Sequence, residues 1–337
     1  MADDKASDTG TDTSSNTSDA ETMKKMMMDT KVDGGKSAWA TTLETFGMSD
    51  GGKNKKTDVL CDSFAEAMKM FYDLVKDKDW EFATTPFEDF NATKEQLFQA
   101  FVHWSRKSGD DGEAATTYNP SKALRRLEAY VEWMDKNCQD MNLKGSTMVE
   151  VAEKWKTRIT HDKKGRLVWW FDIGGLDLKD LKKNVPPEDT LRLFVWMSHL
   201  VLFDKGSQEN GFIFVEAFGR NTGMMETFTV VTMDLSTKLD RLTIGILPVK
   251  MEKCFIYDNP TWIRVMMALL SPFLSKKMKQ RIVSIPNNKN PMEFFEEEIG
   301  KENIPFGVTH LEGTVEKDLV AQTLERLASV ITDEVET

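Results

Sequence analysis

The chain has 337 residues, enough for one large domain or two modest ones, with 40% hydrophobic and 10% aromatic residues to build a core. Its 44 basic and 55 acidic residues leave a net charge of −11, which argues against a general nucleic-acid binder, because such proteins carry a net basic domain or stripe. Cys61, Cys138 and Cys254 lie far apart and form no CxxC pair, so a disulfide framework is not expected and a reducing compartment is.

Residues 1 to about 55 are rich in Asp, Ser, Thr, Gly and Lys and read as a disordered polar leader, in which Met26-Met27-Met28 after Lys24-Lys25 nucleates either a short amphipathic helix or a transient helical turn. The start holds no apolar signal region, Ala2 excludes N-myristoylation, and Glu334-Val335-Glu336-Thr337 carries no prenylation cysteine; the expectation is a cytoplasmic protein. From Val59 to Lys76, Leu60, Phe64, Met68, Phe71 and Val75 recur at spacings of three or four, with Asp62 and Ser63 as capping residues, and predict a helix. Thr93 to Trp104 predicts a second. After a polar insertion from Ser108 to Thr117, Asn119-Pro120-Ser121 opens a third helix that runs from Lys122 to about Lys136. Residues 56–145 therefore read as a small all-helical domain.

The pattern then changes. Leu167 to Ile173 reads as a strand closed by Gly174-Gly175, and Pro186-Pro187 opens an apolar helix from Leu191 to Phe203. That helix is shorter than the roughly 20 residues that span a bilayer and contains Arg192 and His199. Phe212 to Phe218 and Lys253 to Tyr257 predict buried strands, Asn259-Pro260 starts a helix through Leu270, and Arg281 to Ile285 predicts a short final strand. Strands alternating with helices predict an α/β fold with a mostly parallel sheet and flanking helices over residues 146–315, with a last helix and tail over 316–337.

Familiar catalytic patterns are missing. No GxGxxG or GxSxG occurs, and Gly35-Lys36-Ser37 lacks the first glycine of a phosphate-binding loop, Thr30 standing in its place. His103, His161, His199 and His310 are isolated and show no metal-ligand spacing, and His199 reads as a satisfied core residue. No catalytic residue, metal or cofactor is expected.

Two features remain. Large, soft apolar side chains crowd the second half, and Met and Phe suit either a plain core or a cavity for a flexible hydrocarbon. Between Asp258 and Glu293 the chain holds no acid, while Arg264, Lys276, Lys277, Lys279, Arg281 and Lys289 fall inside that window next to an apolar helix. This is either a solvated basic turn at the sheet edge or a docking surface for an anionic membrane.

Pro248-Val249-Lys250-Met251, Phe255-Ile256-Tyr257, Asp258-Asn259-Pro260, an amphipathic helix, Pro272-Phe273-Leu274 and Arg281-Ile282 follow one another in an order that resembles the CRAL-TRIO lipid-binding domain. Gly165-Arg166-Leu167-Val168 and Gly211 to Glu216 resemble its earlier strands, and Leu97 to Lys107 with Tyr118 to Trp133 its N-terminal helices. Three positions depart from that pattern: Val249 stands where phosphoinositide binders carry Glu, Leu167 replaces a Pro, and Phe306-Gly307-Val308 replaces Phe-Gly-Gly.

The resemblance implies a sheet whose apolar cavity encloses a lipid, a phospholipid or an isoprenoid-like molecule, under a gate helix that opens at membranes. The implied wall is Phe212, Phe214, Phe228, Val230, Tyr257, Trp262, Met266, Leu269, Phe273 and Leu274, with Glu216 either orienting a headgroup or pairing with a nearby lysine. Lys276, Lys277, Lys279 and Arg281 are the implied membrane and headgroup contacts. The expected protein is a non-enzymatic lipid carrier, cytoplasmic and peripheral on membranes. Its partners are a lipid ligand and, transiently, an anionic membrane surface; no nucleic-acid partner is expected and no protein partner is identified. The alternative is a lipid-sensing adaptor that recruits a protein through its leader.

Overall fold

The computed structural model describes residues 13–32, 35–48, 58–80, 89–90, 92–107, 116–139 and 141–305. At its centre is a five-stranded sheet in the order β1-β2-β3-β4-β5: Arg158–His161, Leu167–Asp172, Phe212–Ala217, Met251–Tyr257 and Ile282–Ser284. Strand β1 runs antiparallel to β2, and the remaining pairs are parallel. The first strand is missing from the sequence expectation because Arg158 to His161 has no apolar run. It forms because Gly165, at φ +74°, and the Asp162 carboxylate close a tight hairpin, the carboxylate accepting from the amides of Lys164 and Arg166 and from Arg166 Nε at 2.6 Å.

The helices follow in chain order: α1 Thr13–Asp29, α2 Ala38–Met48, α3 Phe64–Val75, α4 Lys94–Trp104, α5 Pro120–Cys138 and α6 Val149–Lys154. Then come α7 Leu178–Asn184, α8 Pro187–Phe203, α9 Lys205–Asn210, α10 Met224–Phe228 and α11 Met233–Asp240, which continues as a π-helical turn, Arg241–Ile246. Beyond β4 lie α12 Thr261–Leu270, α13 Lys276–Arg281 and α14 Pro291–Glu298. Helices α3, α4 and α5 begin where their caps require: Ser63 accepts from the Glu66 amide, Thr93 and Gln96 form a reciprocal capping box, and Asn119 accepts from the Lys122 amide with Pro120 behind it. The expected helix at 317–331, the insertion's residues 108–115 and Phe306-Gly307-Val308 lie outside the described residues.

Side chains alternate across the sheet with period two. Val168, Trp170, Ile213, Val215, Ala217, Phe255 and Tyr257 form one face, covered by Phe295 of α14 together with Ile299 and Ile304. Trp169, Phe171, Phe212, Phe214 and Ile256 form the other, which faces the helices. A register shift at Phe212/Ile213 inserts one extra residue in β4, so Met251 and Cys254, three apart, reach the same face.

The leader departs from expectation. Rather than remaining disordered, Thr13–Asp29 and Ala38–Met48 are helical, and Met23, Met27, Ala38 and Thr45 are buried. The reason is tertiary: α1 packs on α12, and α2 on the π-helical turn and α11, so methionines that have no partner in an isolated segment find apolar surface.

Candidate functional site

Between the second face of the sheet and the helices lies a cavity of about 230 Å³. The sheet supplies its floor, with Trp169, Phe171, Phe212 and Phe214 prominent. Trp155 and Phe194 close one side in a ring cluster, Phe194 meeting Trp155 at 5.3 Å and Phe171 at 5.3 Å, edge to face. The opposite wall is α12, through Trp262, Ile263, Met266, Met267 and Leu270. The chain between β3 and β4 closes the rest with Phe228, Met233, Leu239, Asp240 and Thr243 among others, and the leader adds Met27 and Thr42.

Of the wall residues implied by the resemblance, the structure brings Phe212, Phe214, Glu216, Phe228, Trp262 and Met266 to the cavity. Val230 is buried beside it while its neighbour Val231 lines it, and Leu274 is buried in the core. Leu269 is half-buried on α12 without reaching the cavity. Tyr257 stands on the opposite face, its ring 5.4 Å from Phe295, because it lies an odd step from Ile256 on the pleat. The side chain of Phe273 lies outside what the structure describes.

Helix α12 is fixed at its start and looser along its length. Trp262 donates to the Thr222 carbonyl at 2.9 Å and packs on Phe218 and Phe228 at 5.6 and 5.7 Å. Just before it, Asn259 and Asn287 exchange amide–carbonyl hydrogen bonds at 2.9 Å each way, and Arg220 Nε donates to Asp258 at 2.6 Å. Asp258 adopts φ +52°, a left-handed turn that these bonds hold in place. Trp262 and Ile263 are buried, whereas Val265, Met266, Met267 and Leu269 are half-buried and Arg264 and Ala268 exposed.

The cavity is not wholly apolar. Glu216 on β3 and Asp240 at the end of α11 both line it. Burial, and for Glu216 also the charge of Asp240, pushes these carboxyls up to about 8 and about 7. Cys254 on β4 adjoins them, and its thiol is raised by burial and by both acids. The lysine partner considered for Glu216 is absent: no lysine lines the cavity among the described residues. Asp240, Thr243, Met27 and Thr42 carry no sequence signal, since only the folding of α11 and the leader brings them here.

At the other end of the strands the charge reverses. Lys250, the residue before β4, is half-buried, and its ammonium is lowered to about 8 by burial and by Arg106, Lys277, Lys122 and Arg281 around it. Arg106 and Lys122 come from the helical domain and Lys277 and Arg281 from α13, so four separate segments converge. Arg281 has 14% of its side chain exposed and lies 3.8 Å from Glu252. Lys276, Lys277 and Lys279 are exposed. Arg106, Lys122 and Lys250 were not anticipated; Lys250 sits in a recognisable segment, but nothing in the sequence tells that the helical domain faces it.

His199 is accounted for as a core residue. Its Nδ1 donates to the Val195 carbonyl at 2.7 Å, so Nε2 accepts from the Tyr130 hydroxyl at 2.7 Å, and burial lowers the imidazole to about 4. Among the described residues no group of three or more His, Cys, Asp or Glu could hold a metal ion, and no helix is long and apolar enough to cross a membrane.

Comparison with known proteins gives one family match, to the CRAL/TRIO domain, over residues 154–308. That range runs from the end of α6 through β5 and α14 and so holds the whole sheet and α12. Among solved structures, the crystal structure of Sfh5 matches 80% of this chain and 95% of its own at 13% identity, with a TM-score of 0.48. No curated protein matches.

Proposed function

We propose that this chain, whose residues 154–308 match the CRAL/TRIO domain, seals a lipid tail in the cavity under α12 and exchanges it at membranes. The observation that carries the reading is a cavity walled by aromatic and methionine side chains, one wall of which is a single amphipathic helix followed directly by exposed lysines.

Transferring a tail from water into such a space is favourable by about 0.8 kcal/mol per methylene, so the closed state is a deep well, and release needs an apolar phase on the outside. Helix α12 supplies the moving part. It is anchored at Trp262 and the Asn259–Asn287 pair and bounded at its far end by Ser271-Pro272, so swinging its half-buried middle outward leaves the sheet intact. Lys276, Lys277 and Lys279 hold that end against anionic headgroups, each basic residue near the surface contributing about 1 kcal/mol. The Lys250 cluster, with Arg106 and Arg281, receives the phosphate of a lipid whose tail points toward β3 and β4. Val249 leaves that cluster without the carboxylate that phosphoinositide binders carry at that position, while Glu252 lies 3.8 Å from Arg281.

Extraction of the purified protein followed by mass spectrometry tests the reading. One lipid per chain is the expected result. An empty protein that also takes up nothing from mixed liposomes overturns it.

A further inference from the structure

In this otherwise apolar cavity the pairing of Glu216 with Asp240 stands out. Glu216 lies between Phe171 of β2 and Ile256 of β4 in the ladder, both of them apolar cavity residues, and Asp240 faces it from the end of α11. Neither carboxyl has a hydrogen-bond or ion-pair partner among the described residues. Among the described residues the titratable groups lining the cavity are these two and Cys254, and no Lys, Arg or His lines it. Among the described residues no group of three or more His, Cys, Asp or Glu could hold a metal ion. Two unpartnered acids in low dielectric are a costly arrangement that Ser or Gln would avoid if a hydroxyl were all they had to meet.

We infer that Glu216 and Asp240 form a recognition pole for the primary ammonium group of a long-chain amine, whose hydrocarbon lies along the aromatic floor of the cavity. This deepens the lipid-carrier reading and rests on it. The chemistry selects this group. A primary ammonium has three N–H donors and a charge opposite to both acids, so its entry lets the carboxyls ionise and gives them charge-assisted hydrogen bonds. A fatty acid would add a third carboxyl to the pair. A quaternary ammonium has no donor, and an alcohol brings no charge. Because the empty pair holds its protons near neutral pH, binding of the ammonium releases protons to the buffer. The pole is also separate from the basic cluster: Glu216 lies four residues along β3 from Phe212, which pairs with Met251 beside Lys250, a spacing of about 13 Å.

The test uses the full chain and a neutral apolar dye, N-phenyl-1-naphthylamine, displaced at pH 7 by decylamine, decanol, decyltrimethylammonium or decanoate. Decylamine is expected to displace it at concentrations at least tenfold lower than the other three, with proton release seen as a buffer-dependent heat of binding. In Glu216→Gln/Asp240→Asn, checked for an unchanged circular dichroism spectrum, the amine's advantage and the proton release should vanish while decanol binds as before. Equal displacement by decanol and decylamine in the unaltered protein overturns the amine pole and leaves the lipid cavity standing. Failure of the dye and of all four amphiphiles to bind overturns the cavity reading itself.

Discussion

Arg126 ties the helical domain to the wall of the cavity. Its Nε donates to the Ile246 carbonyl at 2.8 Å and its Nη2 to Leu247 at 2.6 Å and Ile244 at 3.1 Å, capping the π-helical turn whose Thr243 and Ile244 line the cavity. The guanidinium also stacks on Trp104, 4.0 Å from the ring centroid. Replacing Arg126 by Met keeps the volume and orphans these carbonyls; denaturant titration should register a loss of about 3 kcal/mol. Titration of single groups gives a second expectation. Glu216 and Asp240 keep their protons in the folded chain to about pH 8 and about pH 7, against ordinary values of 4.5 and 3.8. Between those limits the folded chain binds more protons than the unfolded one, so their contribution falls as pH rises from about 4 to about 8. His199 acts in the opposite sense, being held neutral down to about 4 instead of 6.5, so its contribution falls as pH drops through that window. From these three groups together, stability should fall as pH rises through the neutral range. Urea titrations at pH 5 and pH 8 should find Glu216→Gln/Asp240→Asn gaining on the parent at the higher pH by on the order of 3 kcal/mol. An equal gain at both pH values would show that the two acids are not buried as protonated groups.

At the scale of elements, α12 is the wall proposed to move, and α1 and α2 are laid over it and over the turn that follows α11. Met27 and Thr42 reach the cavity itself, so opening α12 requires these leader helices to shift with it or detach. Removing residues 1–48 should accordingly speed lipid exchange between liposomes several-fold and lower the thermal midpoint, both measurable on the same preparation. Unchanged exchange would mean that α12 opens underneath a stationary leader. Trp262 offers the complementary test. Truncation to Ala removes a buried indole and its hydrogen bond to Thr222, at about 3–5 kcal/mol, and should leave a protein that loses its lipid on gel filtration.

Over the whole molecule the net charge of −11 repels an anionic bilayer, and the acid-free window from Asp258 to Glu293 provides a local exception. Lys276, Lys277 and Lys279 are exposed together on α13, which follows α12, so in the proposed exchange docking and opening would share one surface. Reversing all three to Glu should abolish co-sedimentation with phosphatidylserine liposomes, leave the thermal midpoint within a few degrees, and leave lipid already bound in place. Retained sedimentation would move the docking surface elsewhere.

Much of this was legible in the chain. Apolar runs bounded by turn residues marked β2, β3 and β4, capping residues marked α3, α4 and α5, and the segment from Pro248 to Ile282 resembled one lipid-binding domain. These are local signals: pleat, cap and turn act over a few residues and are written where they act. What the tertiary structure alone decided is everything that depends on distant segments meeting. Tyr257 and Ile256 are equally apolar on paper, and only the packing of α14 shows which one faces the cavity. Asp240 becomes a neighbour of Glu216 only when α11 folds over the sheet, and Lys250 becomes part of a cationic cluster only when Arg106 and Lys122 pack beside α13. The leader is the clearest case, since polar segments around a few methionines cannot bury enough surface alone to offset their chain entropy, and become helices only on an apolar wall supplied from more than two hundred residues away.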